Sequence, residues 1–290
     1  MVDIISKACK TTGFINKKKR KLVLAILLVF AIALFFRFWR LSSYPVSLSI
    51  DEVTFGYSAY SVLKTGRDEN GKFLPLVFKA LGDYKPPVDV YLNIPSIAIF
   101  GLNEFAVRAP GALLGALSSL LIIFLLRELK ISWFGSVFAG LWLAVSGWHI
   151  FFSRAGYEAI TALFFLLIGT LTFLIWTRRG SNLFFLSSIT AFSFSVWSYH
   201  AERLFVPLLV IFLLIVFRKK LIVFRRDPKK LLLPLIVLMI FAIPFVYLTF
   251  SSADIKARAL DLWLTRDVYL SQKLHKDGYS SIQEFVFRLK

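Results

Sequence analysis

The chain has 290 residues, 58% of them hydrophobic, with 31 Phe, 7 Trp and a formal net charge of +18. Apolar blocks of roughly 20 residues, long enough to cross a membrane, recur along the sequence and predict an all-α polytopic membrane protein. The basic residues lie in short runs between these blocks, which reflects membrane topology and excludes a nucleic-acid footprint. The single cysteine, Cys9, excludes an intrachain disulfide framework.

The hydropathy pattern predicts seven spans, at residues 22–39, 107–126, 132–150, 159–177, 182–199, 203–217 and 231–250. Most of the excess positive charge lies before the first span and after the second, fourth and sixth, which predicts that these segments are cytoplasmic. We therefore expect a plasma-membrane protein with a cytoplasmic basic N-terminus at 1–21 and a transmembrane module at 22–250. A first external loop is predicted at about 41–106, and an external amphipathic segment at 251–290.

An acidic pair, Asp51 and Glu52, follows the outer end of the first span. Carboxylates at the edge of the hydrocarbon region are costly, so the pair is a candidate for a functional site. The alternative is a hydrated cap on the helix that follows, which is predicted to end at Gly66.

The rest of the first external loop contains Lys85, which precedes two prolines and is therefore predicted in extended backbone. A lysine held there suits an anionic head group, and the alternative is a lysine that snorkels to the interface. The apolar stretch at 88–101, which includes Asp89, is too short to span and is predicted to lie on the outer membrane surface. Glu104 and Arg108 are spaced for an ion pair within one helix.

Two short external turns, with the sequences SGWHIFFSRAGYEA and WSYHAERLF, are also rich in polar residues. Basic residues that recur in both turns, opposite the acidic pair, indicate one shared site. Arg154 and Glu158 alternatively form an ion pair within a helix. His149 and His200 together with the acidic pair would suit a divalent cation, but no ligand spacing supports a metal site.

The order of these motifs resembles that of bacterial glycosyltransferases related to the protein O-mannosyltransferases and to the lipid A aminoarabinose transferase. These are enzymes of the GT-C fold that use polyprenyl-phosphate sugars. The similar segments are residues 37–52, 65–71, 82–87 and 100–113, followed by the two external turns. The resemblance implies a GT-C transmembrane helix bundle, with a long first external loop that carries juxtamembrane helices.

The resemblance also implies transfer of a sugar from the lipid phosphate to a hydroxyl of a protein, glycan or lipid at the outer face, with inversion. Asp51 is expected to be the general base. Glu52 is expected to be the second catalytic residue, which binds either a sugar hydroxyl or a metal ion. Lys85, Arg203 and His200 are expected to bind the donor phosphate. The residues expected to bind the sugar or the acceptor are Glu158, Tyr84, His149 and Arg154.

Members of this family are generally larger, so the resemblance implies that the chain is part of a longer protein. Two alternatives come from other functional classes: a transporter or flippase subunit, and a non-catalytic assembly protein. Transporters place charges at mid-depth within their spans. The charged candidates here lie at the outer edge of the predicted spans, which favours an enzyme that acts at the interface.

Overall fold

The computed structural model describes residues 17–80, 83–221 and 229–251. The described chain is predominantly helical, which confirms the prediction of an all-α polytopic membrane protein. The predicted external segment beyond residue 251 and most of the basic N-terminus lie outside the described residues. The elements are α1 (Lys17–Phe38), α2 (Ile50–Thr65), β1 (Phe78–Ala80), β2 (Asp83–Lys85), α3 (Pro87–Phe100), α4 (Glu104–Glu128), α5 (Trp133–Val145), α6 (Gly147–Arg154), α7 (Glu158–Arg179), α8 (Asn182–Ser198), α9 (Glu202–Val216), a 3₁₀ turn (Arg218–Leu221) and α10 (Lys229–Ser251).

Four helices are long and apolar enough to cross a membrane, and there are five such spans if the bent pair α5 and α6 counts as one; both counts cover the described residues only. The four are Lys19–Phe38, Glu104–Glu128, Glu158–Arg179 and Lys230–Leu248. Helices α8 and α9 coincide with the predicted fifth and sixth spans but have only 17 and 15 residues. Seven spans therefore remain a prediction. The chain divides into two compact units, Met1–Val237 and Leu238–Lys290.

The predicted third span at 132–150 is a bent pair of helices and not one continuous helix, so as a span it remains a prediction. Helix α5 ends at Val145 and α6 begins after Ser146, with a bend of 55° between the two. A break leaves carbonyl groups at a helix end without partners, which is costly away from water. Arg37 of α1, fully buried, donates to the carbonyls of Leu143 and Ala144 at 3.2 and 3.0 Å. A buried arginine thus stabilises the break.

Close helix contacts hold the bundle of the first unit together. An apolar cluster joins α1, α4 and α5, and a second joins α7, α8 and α9. At Gly140 a Cβ atom would lie 2.4 Å from the Ile123 side chain and 2.8 Å from the Ser119 carbonyl oxygen. Helices α4 and α5 therefore approach each other through a small residue, as membrane helices commonly do.

The first predicted external loop has a core of its own. Helices α2, α3 and α4 and strand β1 enclose an apolar cluster that includes Phe55, Phe78, Val90 and Ile97. Strands β1 and β2 form an antiparallel hairpin that the sequence analysis did not predict. The hairpin ends at Lys85, which confirms the extended backbone expected ahead of Pro86. The loop is thus an ordered layer on one end of the bundle.

Contacts between helix ends agree with the topology predicted from the charges, in which successive connecting segments lie on alternate sides of the membrane. Glu128 at the end of α4 pairs with Arg178 at the end of α7, with 3.0 Å between the side-chain atoms. At the other end of the bundle, Arg154 at the end of α6 donates to backbone carbonyls that follow α1, including those of Trp39 and Tyr44, both at 2.8 Å. The segments predicted as external therefore share one end of the bundle. Which end faces outward stays a prediction.

Candidate active site

The acidic pair begins α2, and its two members have different environments. Ser49 is the N-cap; its hydroxyl accepts the N–H of Glu52, and the Glu52 carboxylate accepts the N–H of Ser49 at 2.7 Å. This reciprocal arrangement is a capping box. The capping function considered for the acidic pair therefore belongs to Ser49 and Glu52, while Asp51 lies in the first turn with its carboxylate available for another contact.

Glu52 is fully buried and pairs with Arg108 of α4, with 2.6 Å between Oε1 and Nε. Arg108 also donates to the carbonyls of Leu41, Pro45 and Ser47, at 2.9–3.0 Å. The predicted ion pair between Glu104 and Arg108 is therefore wrong, because Arg108 is directed toward α2 and the segment before it. The Glu52–Arg108 pair fixes the backbone on which Asp51 is placed.

Asp51 contacts Lys85 directly, with 2.6 Å between Oδ1 and Nζ. The Asp51 side chain is 33% exposed and that of Lys85 is 10% exposed. The end of β2 and the start of α3 at Pro86 hold the lysine backbone, and the first turn of α2 holds the aspartate. The structure thus brings together the predicted base and the predicted phosphate-binding lysine.

Two further carboxylates lie beside this pair. Glu158, the first residue of α7, is buried and interacts electrostatically with Asp89, Lys85 and Asp51. Asp89, in the first turn of α3, is also buried and accepts a 2.6 Å hydrogen bond from the Thr161 hydroxyl. Burial raises the pKa of the Asp89 carboxyl to about 7, against the opposing effect of the Thr161 hydrogen bond. Asp89 was not among the residues predicted for the site, although an aspartate in an apolar stretch four residues after Lys85 was the available signal.

His200, in the turn between α8 and α9, reaches the same region through a hydrogen bond to the backbone of Tyr84. Burial, together with the positive charges of Arg203 and Lys85, lowers the pKa of His200 to about 4, against the opposing effect of the hydrogen bond to Tyr84. Near neutral pH the imidazole is therefore uncharged and supplies a hydrogen bond without a positive charge. The Tyr84 ring itself has the ammonium of Lys79 at 5.7 Å from its centroid.

The structure does not bring His149 and Arg154 to the Asp51–Lys85 pair. His149 is fully buried, and its Nδ1 lies 2.7 Å from Nη2 of Arg37. Arginine has only donors, so this nitrogen accepts. Arg154 donates to backbone carbonyls in the last turn of α1 and after it. These contacts are observed in place of the alternative ion pair with Glu158. Sugar or acceptor binding by His149 and Arg154 stays a prediction without geometric support.

Within residues 17–80, 83–221 and 229–251, no group of three or more His, Cys, Asp or Glu side chains is arranged to hold a metal ion. A divalent cation, left open by the sequence, thus has no ligand set in this part of the chain. The charged groups at the site are instead Lys85, which interacts with Asp51 and Glu158, the Asp89 carboxyl beside Glu158, and Arg203 beside His200. Such a set can bind an anionic group at the lysine and hydroxyl groups at the carboxylates.

The model of one protein family, dolichyl-phosphate-mannose-protein mannosyltransferase, matches residues 27–257. This match covers most of the chain and includes every residue of the site described above. The chain belongs to this mannosyltransferase family. No curated protein and no solved structure matches it.

As a member of this family, the protein is a membrane glycosyltransferase that uses a polyprenyl-phosphate-linked sugar donor. The resemblance to GT-C glycosyltransferases drawn from the motifs is thereby confirmed. The same membership favours an enzyme over the alternatives of a transporter subunit and an assembly protein.

Proposed function

We propose that this protein moves a sugar from a polyprenyl-phosphate donor to an acceptor hydroxyl at the outer face of the plasma membrane, with inversion at the anomeric carbon. Asp51 is the general base in this proposal, and Lys85 binds the donor phosphate. The contact between Asp51 and Lys85, 2.6 Å long and at the end of the bundle that carries the predicted external segments, is the observation that supports it most strongly.

The proposed step is a single displacement. The acceptor oxygen forms a bond to the anomeric carbon while the bond from that carbon to the phosphate oxygen breaks. The electron pair of the broken bond leaves with the polyprenyl phosphate, and the proton of the acceptor hydroxyl passes to a carboxylate oxygen of Asp51. Lys85 offsets the negative charge that grows on the leaving phosphate.

The resting contact implies an order of events. Lys85 and Asp51 form an ion pair in the structure, so the lysine side chain must move from the carboxylate to the phosphate as the donor binds. That movement frees the Asp51 oxygen for the acceptor hydroxyl. Arg203 is a second candidate cation for the phosphate. His200, uncharged at neutral pH, has its single N–H engaged with the Tyr84 backbone, so it can donate to the phosphate only when it is protonated or released from that contact.

Glu52 has a different part in the proposal. Its buried pair with Arg108 and its capping bond to Ser49 keep it away from substrates. We infer that Glu52 positions Asp51 by fixing the first turn of α2. Glu158 faces the reacting groups and is proposed to bind the substrate.

The experiment is a kinetic comparison of Lys85→Ala with wild-type enzyme, with donor and acceptor varied separately. Loss of one charge-assisted contact to phosphate costs about 1.5–3 kcal/mol, so the apparent donor affinity should fall about ten- to a hundredfold. The maximal rate should fall as well, because the leaving group loses its countercharge. Acceptor affinity should stay close to that of wild type.

Lys64→Ala is the matched control, since Lys64 is an exposed lysine in the last turn of α2. It should leave both substrates unaffected. Unchanged donor parameters together with poorer acceptor use in Lys85→Ala would show that Lys85 does not bind the donor phosphate.

A further inference from the structure

We propose that Asp89 and Glu158 form a subsite that binds hydroxyl groups of the donor sugar, and that Thr161 orients Asp89 within it. The inference rests on the proposed function and adds to it. It assigns Asp89, which belongs to none of the motifs, as a residue that binds the sugar of the donor.

Both carboxylates are buried, and each has one oxygen without a hydrogen-bond donor. Asp89 is 6% exposed and Glu158 is 8% exposed. Neither Oδ2 of Asp89 nor Oε2 of Glu158 has a hydrogen-bond donor among the residues that the structure describes. Buried acceptors without donors are costly, and two of them in one cluster indicate that a ligand supplies the missing donors.

The two carboxylates are held from different elements. Thr161 donates to Oδ1 of Asp89 at 2.6 Å, which leaves Oδ2 as the free acceptor. Glu158 and Thr161 are three residues apart on α7 and therefore lie on the same face of that helix. The side chain of Asn93 donates to the backbone carbonyl of Asp89 at 2.9 Å. The carboxylate of Asp89 is thus hydrogen-bonded at Oδ1 and buried without a donor at Oδ2.

The charged residues around Asp89 and Glu158 indicate which class of ligand would bind there. Lys85 and Asp51 are the charged neighbours of Glu158 in addition to Asp89. A ligand that places a phosphate at Lys85 presents its adjoining sugar to these carboxylates. Each sugar hydroxyl can donate to a carboxylate oxygen, and such charge-assisted bonds are stronger than neutral ones. With a pKa of about 7, the Asp89 carboxyl also holds a proton for part of the time at neutral pH, and then it can donate to a sugar oxygen.

The test compares the binding of two probes to the purified full chain in lipid nanodiscs. One probe is polyprenyl-phosphate mannose and the other is polyprenyl phosphate without a sugar. Asp89→Asn keeps the side-chain shape, and Thr161→Val removes only the orienting hydroxyl. Both variants should weaken binding of the sugar-bearing lipid about tenfold and leave binding of the sugar-free lipid unchanged.

Thr170→Val is the matched control on the same helix, because its hydroxyl bonds only within α7, to the carbonyl of Leu166 at 2.9 Å. It should change neither affinity. Among mannose analogues that each lack one hydroxyl, at least one should bind wild-type protein as weakly as the intact lipid binds Asp89→Asn.

Three results would overturn the inference, and they are distinguishable. Equal losses for the two probes would assign Asp89 to the support of the fold or of the phosphate site. Unchanged binding in Asp89→Asn and Thr161→Val would mean that water or a shared proton satisfies the two oxygens. Wild-type protein that binds neither probe would overturn the proposed function itself, and this inference with it.

Discussion

Loss of the buried charge of Glu52 should destabilise the protein strongly. Glu52→Gln keeps the shape of the side chain and an oxygen for the capping box, but it leaves the Arg108 guanidinium without its carboxylate. Arg108 is completely buried, so the uncompensated charge is not hydrated. Removal of one partner of a buried pair costs about 3–5 kcal/mol. We expect the lower end, about 3 kcal/mol, because three backbone carbonyls still accept from Arg108.

The assay is thermal unfolding of the purified protein in detergent. A loss of about 3 kcal/mol lowers the Tm of a protein of this size by about 6–12 °C. Glu104→Gln is the control, since Glu104 is exposed in the first turn of α4, and it should cost less than about 1 kcal/mol. Replacing both partners, with Glu52→Gln and Arg108→Met together, should cost less than the sum of the two single changes. Equal losses from Glu52→Gln and Glu104→Gln would refute this reasoning.

Three further predictions concern pH and topology. The raised pKa of Asp89 gives stability that is present at low pH and lost as the pH rises through about 7, so Asp89→Asn should gain stability relative to wild type as the pH of thermal unfolding is raised. The lowered pKa of His200 gives stability that is present above about pH 6.5 and lost as the pH falls through about 4. His200→Gln should therefore gain stability relative to wild type as the pH is lowered. For either residue, a stability difference between variant and wild type that does not change with pH would contradict the assignment. In a Cys9→Ser background, a cysteine at the exposed Ser42 should react with an impermeant reagent in intact cells, and one at the exposed Ser181 should react only after permeabilisation. The reverse pattern would invert the orientation.

Features set by neighbouring residues were predictable from the sequence. Helix α2 ends at Thr65 with Gly66 in the left-handed conformation, as expected for a helix that stops at glycine. The extended backbone at Lys85 follows from the proline after it. The sequence also predicted Asp51 and Lys85 as site residues, because each is a charged residue at the predicted membrane edge.

Contacts between distant segments were not predictable from one sequence. A spacing of four residues suits an ion pair equally for Glu104 with Arg108 and for Arg154 with Glu158, yet both arginines have distant partners instead. The break at Ser146 also depends on a distant residue, since Arg37 satisfies the carbonyls that it leaves open. Asp89 lay in a stretch classed as a surface helix, and only the packing of α3 against α7 shows that it is buried beside Thr161.

The central claim is that Asp51 removes the proton of the acceptor hydroxyl. The most direct test is the turnover of Asp51→Asn with saturating donor and acceptor, together with donor binding and thermal unfolding of the same preparation. General-base catalysis contributes at least about a hundredfold, so turnover should fall by that factor or more while the variant still folds and binds the donor. Turnover near that of wild type in a folded, donor-binding Asp51→Asn protein would contradict the account.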